Sequence, residues 1–315
     1  MKKLTKIFAL VSALMIAVFA FTGCGDKKLK FATGGTGGTY YAYGSALSTL
    51  TTNNTSTKVT AISTGASADN ILRVNKKKAD IAIVQNDVAF YAYTGTDLFA
   101  SNGAQKNIRI VGYMYSEPCQ IVARSGINSI EDLRGATVSV GAVGSGVEFN
   151  AKQILAAYDI SFGDINKRNL DFNGSADALK NGQIDAFFCV AGAPTTAITD
   201  LATTKGINLL SIDDDHIAIL QSTYDFYKPY TVPAGTYNGI NADVKMVTVK
   251  ATIIAHKNVS NKDVYNILDS AFKATKVNHA KFEELSLESC FDDYANSTVP
   301  FHDGAIEYYN EHKEG

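Results

Sequence analysis

Gly34-Gly35-Thr36-Gly37-Gly38-Thr39-Tyr40-Tyr41 follows the short strand-like run Leu29 to Ala32, and Gly141-Ala142-Val143-Gly144-Ser145-Gly146 follows Thr137 to Val140. In both places an extended segment enters a glycine-rich loop and leaves it as a helix, Tyr40 to Leu50 in the first case and Val147 to Tyr158 in the second. Each unit continues to a polar turn and an apolar strand: Lys77-Lys78-Ala79-Asp80 before Ile81 to Val84, and Asn181-Gly182-Gln183-Ile184-Asp185 before Ala186-Phe187. Gly38 and Asp80 are 42 positions apart, and Gly146 and Asp185 are 39 apart. Two strand–loop–helix units of similar spacing predict an α/β protein of two similar lobes.

Outward from these units the same alternation continues. Lys58 to Ser63 reads as a strand and Ala68 to Lys77 as a helix. Ile108 to Tyr115 and Gln120 to Arg124 read as two strands flanking Ser116-Glu117-Pro118. Ser129 to Gly135 reads as a short helix, with Ser129 and Asp132 at capping-box spacing. The last third begins with a strand, Val247 to Ala255, then turns helical over Lys262 to Thr275, Ala280 to Leu287 and Gly304 to His312. Crossings between lobes are expected near Glu117 and near Thr231, which lies between Pro229 and Pro233. Lobe 1 is then residues 31–116 and 233–315, and lobe 2 is residues 117–232.

The first residues read as an export signal. Met1 to Lys6 is basic, Ile7 to Phe21 is uncharged and almost wholly apolar, and Phe21-Thr22-Gly23-Cys24 places small residues before a cysteine. The apolar run is shorter than the roughly 20 residues needed to span a bilayer. The pattern resembles a bacterial lipobox, with Phe21 where leucine is usual. Residues 1–23 are expected to be removed, Cys24 to carry lipid, and residues 24–30 to be a tether. The expected location is extracytoplasmic, anchored to the cell membrane. A net charge of −2 gives no footprint for nucleic acid. The five histidines are scattered without metal-ligand spacing, and no cofactor is expected. Cys189, in an apolar run, reads as a buried small hydrophobe.

Glycine loops that open helices present backbone N–H groups and the positive end of the helix dipole to an anion. Three such places stand in this chain: Thr33 to Thr39, Thr64 to Ser67 before Asn70, and Gly141 to Gly146. Nucleotide signatures fail: no Gly-Lys-Ser/Thr follows a glycine loop, and Tyr40 occupies the place of the third glycine of a dinucleotide fingerprint. None of Arg73, Arg109, Arg124, Arg134 or Arg168 lies in the three loops. An anionic or zwitterionic ligand would therefore rest on backbone amides and hydroxyls. Asp87 and Glu117 have two readings each, as acceptors for a ligand ammonium or as a helix cap and a hinge residue. An enzyme on such a scaffold would need Ser145 or Cys189 as nucleophile, and no activating base is identifiable.

Gly34 to Tyr41, Thr64-Gly65-Ala66-Ser67-Ala68-Asp69-Asn70, Val84-Gln85-Asn86-Asp87, Glu117-Pro118, Val140 to Gly146, Gly182 to Phe188, Val232 to Tyr237 and His302-Asp303-Gly304-Ala305 together resemble the TAXI family. These are substrate-binding subunits of tripartite ATP-independent periplasmic (TRAP) transporters. Ala66, Asp69 and Lys78 depart from the usual residues. The resemblance implies a periplasmic-binding-protein fold of type II kind, a ligand cleft between lobes, membrane transporter subunits as partners, and no catalysis. It also implies a small carboxylate such as glutamate or 2-oxoglutarate as ligand. A binding protein for an ATP-driven importer, or a ligand-sensing subunit, is the alternative on the same fold. The candidate ligand-binding residues are Gly38, Thr39, Tyr40, Tyr41, Ser67, Asn70, Gln85, Asp87, Glu117, Gly144, Ser145, Gly146, Gly192 and Pro194.

Overall fold

A computed structural model describes residues 28–274, 278–288, 290 and 297–313. The signal, Cys24 and most of the tether lie outside the described residues.

The chain begins with β1 (Leu29–Ala32), α1 (Thr39–Asn54), β2 (Val59–Ile62), α2 (Ser67–Asn75), β3 (Ile81–Gln85) and α3 (Asn86–Thr94). β1 pairs in parallel with β2 on one side and β3 on the other, with Phe31 opposite Ala61 and Ile81. β3 is buried along its whole length, as a strand covered on both faces must be. Next comes β4 (Ile108–Arg124), 17 residues long. The two strands expected on either side of Ser116-Glu117-Pro118 are this one strand. It changes partner at its proline: Ile108 to Pro118 run antiparallel to β10 (Val244–His256), and Cys119 to Ala123 run antiparallel to β7 (Ala186–Val190). Proline cannot donate to a ladder, so a point where one ladder ends and another begins accommodates it.

The second unit is β5 (Thr137–Ser139), α4 (Gly146–Ala157), β6 (Asn166–Arg168), α5 (Phe172–Lys180), β7, α6 (Thr196–Thr204), β8 (Ile207–Leu209) and α7 (Asp214–Thr223). β5 pairs in parallel with β6 and β7, repeating the arrangement of β1. Between β4 and β5, Glu131–Leu133 is a single 3-10 turn rather than a capped α-helix. The Asp132 carboxylate accepts from the Asn128 and Ser129 amides, which holds the turn. β9 (Lys228–Val232), β10, α8 (Asn261–Phe272) and α9 (Asp303–Glu311) complete the chain. Ala280–Glu284 forms a 3-10 segment where a longer helix was expected.

Two buried cores result. One joins β1 to β3 with Tyr43 and Leu47 of α1, Ile71 and Val74 of α2, Leu268 of α8 and Tyr309 of α9. The other joins β5 and β7 with Ile154 and Leu155 of α4, Leu179 of α5 and Ile198 of α6. Val232, Tyr237, Ile240, Val244 and Val247 belong to the second core. The return crossing therefore lies near Val249 to Ala251 in β10, not near Thr231. The cause is a turn after Pro233, closed by Gly235 N donating to Ile240 O (2.7 Å). It sends the chain back along β9, with Val244 opposite Val232. Both connections between lobes are thus strands, and they are paired with each other.

Candidate functional site

Three helices point their N-termini at one small cavity between the lobes. It is lined by Gly38, Thr39 and Tyr40 at the start of α1, Ala66 and Ser67 at the start of α2, and Gly146 and Val147 at the start of α4. Gln85 and Glu117 complete its polar wall, and its volume is about 40 Å³. That is room for a head group of about the size of a few waters. Among the described residues, the amides of Thr39, Tyr40, Ser67, Gly146 and Val147 have no acceptor outside their helices. First-turn amides have none within a helix either, so these donors face the cavity with the positive ends of their dipoles.

An outer chamber of about 270 Å³ opens from it, sharing Gly35, Gly38, Ala66, Val147 and Phe172 and adding Ser63, Thr64, Ser145, Asp171 and Asn173. Phe172 lines both spaces. Its place follows from Asp171, which caps α5 by accepting from the Gly174 amide (2.8 Å) and so fixes the first turn. The sequence reading omitted Phe172 and Asn173. The available signal was an aromatic residue immediately after an N-cap aspartate.

The lobes meet around these cavities. Thr39 donates its hydroxyl to Gly192 O (3.0 Å), and Ala197 N donates to Gly37 O (3.2 Å). At Gly192 a Cβ would lie 2.8 Å from Lys281 Cε and 3.1 Å from Thr39 Cγ2, so lobe 1 leaves no room for a side chain. At Gly146 a Cβ would fall on Gln85 Oε1. A buried polar chain lies alongside: Asn150 of α4 accepts from Gln85 Nε2 (2.5 Å) and donates to Asp87 Oδ2 (2.9 Å) and to the Tyr227 hydroxyl (2.9 Å). Tyr227 in turn donates to Gln153 Oε1 (2.6 Å). Nothing in the local sequence singles out Asn150 or Tyr227, because their partners are far away along the chain.

Of the residues named from sequence, Gly38, Thr39, Tyr40, Ser67, Gln85, Glu117 and Gly146 line the inner cavity, and Ser145 lines the outer one. Gly192 stands at the lobe contact. Tyr41 and Pro194 line neither cavity, and Pro194 is exposed. Asn70 is wholly buried and spends its amide on Thr33 O (2.6 Å) and Ile83 O (2.8 Å), which ties the loops together. Gly144 gives its amide to Glu148 Oε2 (2.8 Å), so the protein's own carboxylate takes the donor expected to face a ligand. Ser145 accepts from the Glu148 amide (3.2 Å) as the cap of α4. Gly141 and Gly144 hold the positive φ angles of the loop, +90° and +68°. Gly146 does not, so its constraint is the space beside Gln85.

Asp87 lines neither cavity, and it does more than cap its helix. Its Oδ1 accepts from the Val88 amide (2.9 Å) and its Oδ2 takes the bond from Asn150, which makes it a link between lobes. Burial pushes its carboxyl up to about 6, against those hydrogen bonds. Glu117 is completely buried, and its Oε2 accepts from the Tyr40 hydroxyl (2.7 Å). Burial drives its carboxyl well above the usual range; the Tyr40 bond opposes this, and the charges of Asp87 and Glu284 add to it. Burial likewise drives the Cys189 thiol far upward, which leaves it a poor nucleophile. Among the described residues no group of His, Cys, Asp and Glu is arranged to hold a metal ion, and no helix is long and apolar enough to cross a membrane.

Solved structures share this architecture over nearly the whole chain. A periplasmic transporter matches with a TM-score of 0.58 at 13% identity, covering 92% of this chain and 94% of its own. The alkanesulfonate-binding protein SsuA of Xanthomonas axonopodis pv. citri, bound to MOPS, matches at 0.52 and 13%, covering 90% and 83%. The ligand-binding component of an ABC-type import system from Staphylococcus aureus, with zinc bound, matches at 0.52 and 13%, covering 92% and 93%. The fold, with its cleft between paired lobes, is that of the periplasmic binding proteins. The chain belongs to the NMT1-like family, whose pattern matches residues 31–312.

Proposed function

We propose that this protein is an exported solute-binding protein that encloses a small anionic or zwitterionic molecule between its lobes and delivers it to a membrane transporter. The observation that carries the reading is the convergence of three helix N-termini, two from one lobe and one from the other, on a cavity with no arginine in its wall. Backbone amides of both lobes then share one ligand, and binding favours the closed arrangement. The resemblance to TAXI subunits favours a TRAP-type transporter and a small carboxylate or amino acid. The relatives in fold belong at least as readily with ATP-driven importers. In this reading Cys24 holds the protein to the membrane through lipid, and a Cys24→Ser variant would leave the membrane fraction.

Mass spectrometry of gently purified protein should find a stoichiometric small carboxylate or amino acid. Uptake of that solute in vesicles without ATP would assign the TRAP class, whereas uptake that needs ATP would assign the other. A protein that carries no solute and binds neither class of compound would sink the proposal.

A further inference from the structure

We infer that Glu117 is the acceptor for an ammonium group on the ligand, so that the cleft selects an α-amino acid over the oxo acid of the same skeleton. This rests on the solute-binding reading above and narrows its ligand class. Glu117 lines the inner cavity and is completely buried, with Oε2 engaged by Tyr40. Its Oε1 has no hydrogen-bond partner among the described residues, and neither has the buried Tyr115 hydroxyl two residues before it on the same face of β4. A buried carboxyl oxygen left without a partner is costly, and a donor on a ligand entering the cavity would supply one.

The surrounding charge points the same way. Asp87 and Glu284 both act on Glu117 as negative neighbours. Lys281, which offsets them, is itself paired with Glu284 (2.5 Å). The carboxylate of an amino acid would meet the first-turn amides of α1, α2 and α4, which line the same small cavity as Glu117. Both ends of the head group thus fit in one place, and the side chain passes Phe172 into the outer chamber. An ammonium at Oε1 would draw the buried carboxyl into its ionised form against the desolvation that favours the neutral acid, and the carbonyl of an oxo acid brings no charge that could do so. A site built to bond one group rejects the analogue that lacks it.

Calorimetry at neutral pH on the ligand-stripped protein tests this with matched probes: L-glutamate against 2-oxoglutarate, L-alanine against pyruvate, and L-leucine against 4-methyl-2-oxopentanoate. For the skeleton that binds, the amino acid should be tighter by about 30-fold or more. Glu117→Gln keeps the shape and an acceptor for Tyr40, so it should fold with an unchanged circular dichroism spectrum and lose that preference. An oxo acid binding as tightly as its amino acid overturns the inference and leaves the solute-binding reading standing. So does a folded Glu117→Gln variant whose preference is intact. A folded wild-type chain that binds no member of any pair and carries no solute removes both.

Discussion

Asp87 is 2% exposed at the start of α3, and its buried carboxyl is raised from 3.8 to about 6. An acid raised on folding binds its proton more tightly in the native chain than in the unfolded one. Its favourable contribution is complete below 3.8 and is lost as pH rises through about 6. Glu117, also raised by burial, acts in the same sense. Asp132 and Asp164 run oppositely, because hydrogen bonds from the Asn128 amide and from Ser161 lower their pKa values; their contribution is lost only in stronger acid. The expected outcome is a melting temperature of the closed protein that falls between about pH 4 and pH 6, with Asp87→Asn flattening that slope. Melts followed by circular dichroism across this range check it. A slope that Asp87→Asn leaves unchanged would mean that the carboxylate is ionised in the native protein at no cost. The residue type and its place after a buried strand were visible in the sequence. Its link to Asn150, 63 positions away, was not.

The first turn of α4 separates two roles that adjacent residues play. Ser145 caps the helix and Gly146 touches the other lobe. Ser145→Ala should cost about 1 kcal/mol of stability through the lost cap, with little change in ligand affinity. Gly146→Val should do the reverse. Its side chain would meet Gln85 and Val88 only when the lobes are together, so affinity should weaken by about 1–3 kcal/mol, as overpacking does, while the ligand-free melting temperature holds. Paired melts and calorimetric titrations of both variants separate these outcomes. If Gly146→Val binds normally, the closed contact at Gln85 is not the binding state. At this scale the glycine loops and the helices they open were readable, because a strand–glycine–helix pattern is local. The consumption of the Gly144 amide by Glu148 was not, since a helix residue that folds back onto its own loop leaves no periodic trace.

The lobes are joined by two strands, β4 and β10, paired antiparallel along Ile108 to Pro118. Such a pair can bend without breaking either core, and among the described residues the two cores meet where Phe149 of α4 packs against Tyr91 of lobe 1 (5.2 Å) and where Phe226 packs against Phe90 and Tyr91 (5.2 and 5.7 Å). Closure about these strands is expected on ligand binding. Small-angle scattering of the stripped protein should show a larger radius of gyration that shrinks when solute is added. An identical radius in both states would rule out closure, though not binding. By itself the sequence determined the α/β alternation, the repeated strand–loop–helix units, the all-apolar β3 and the loops from which the cavity is built. Each of these is written in the polarity and turn chemistry of neighbouring residues. Tertiary structure alone decided that β4 runs unbroken through Pro118, and that the chain returns at β10 because the turn after Pro233 folds it back on β9. It alone brought Asn150 to Gln85 and Asp87, and left Glu117 Oε1 buried without a partner among the described residues. Those outcomes depend on pairing between segments dozens of residues apart, and local periodicity carries no record of which distant partner a strand or side chain will meet.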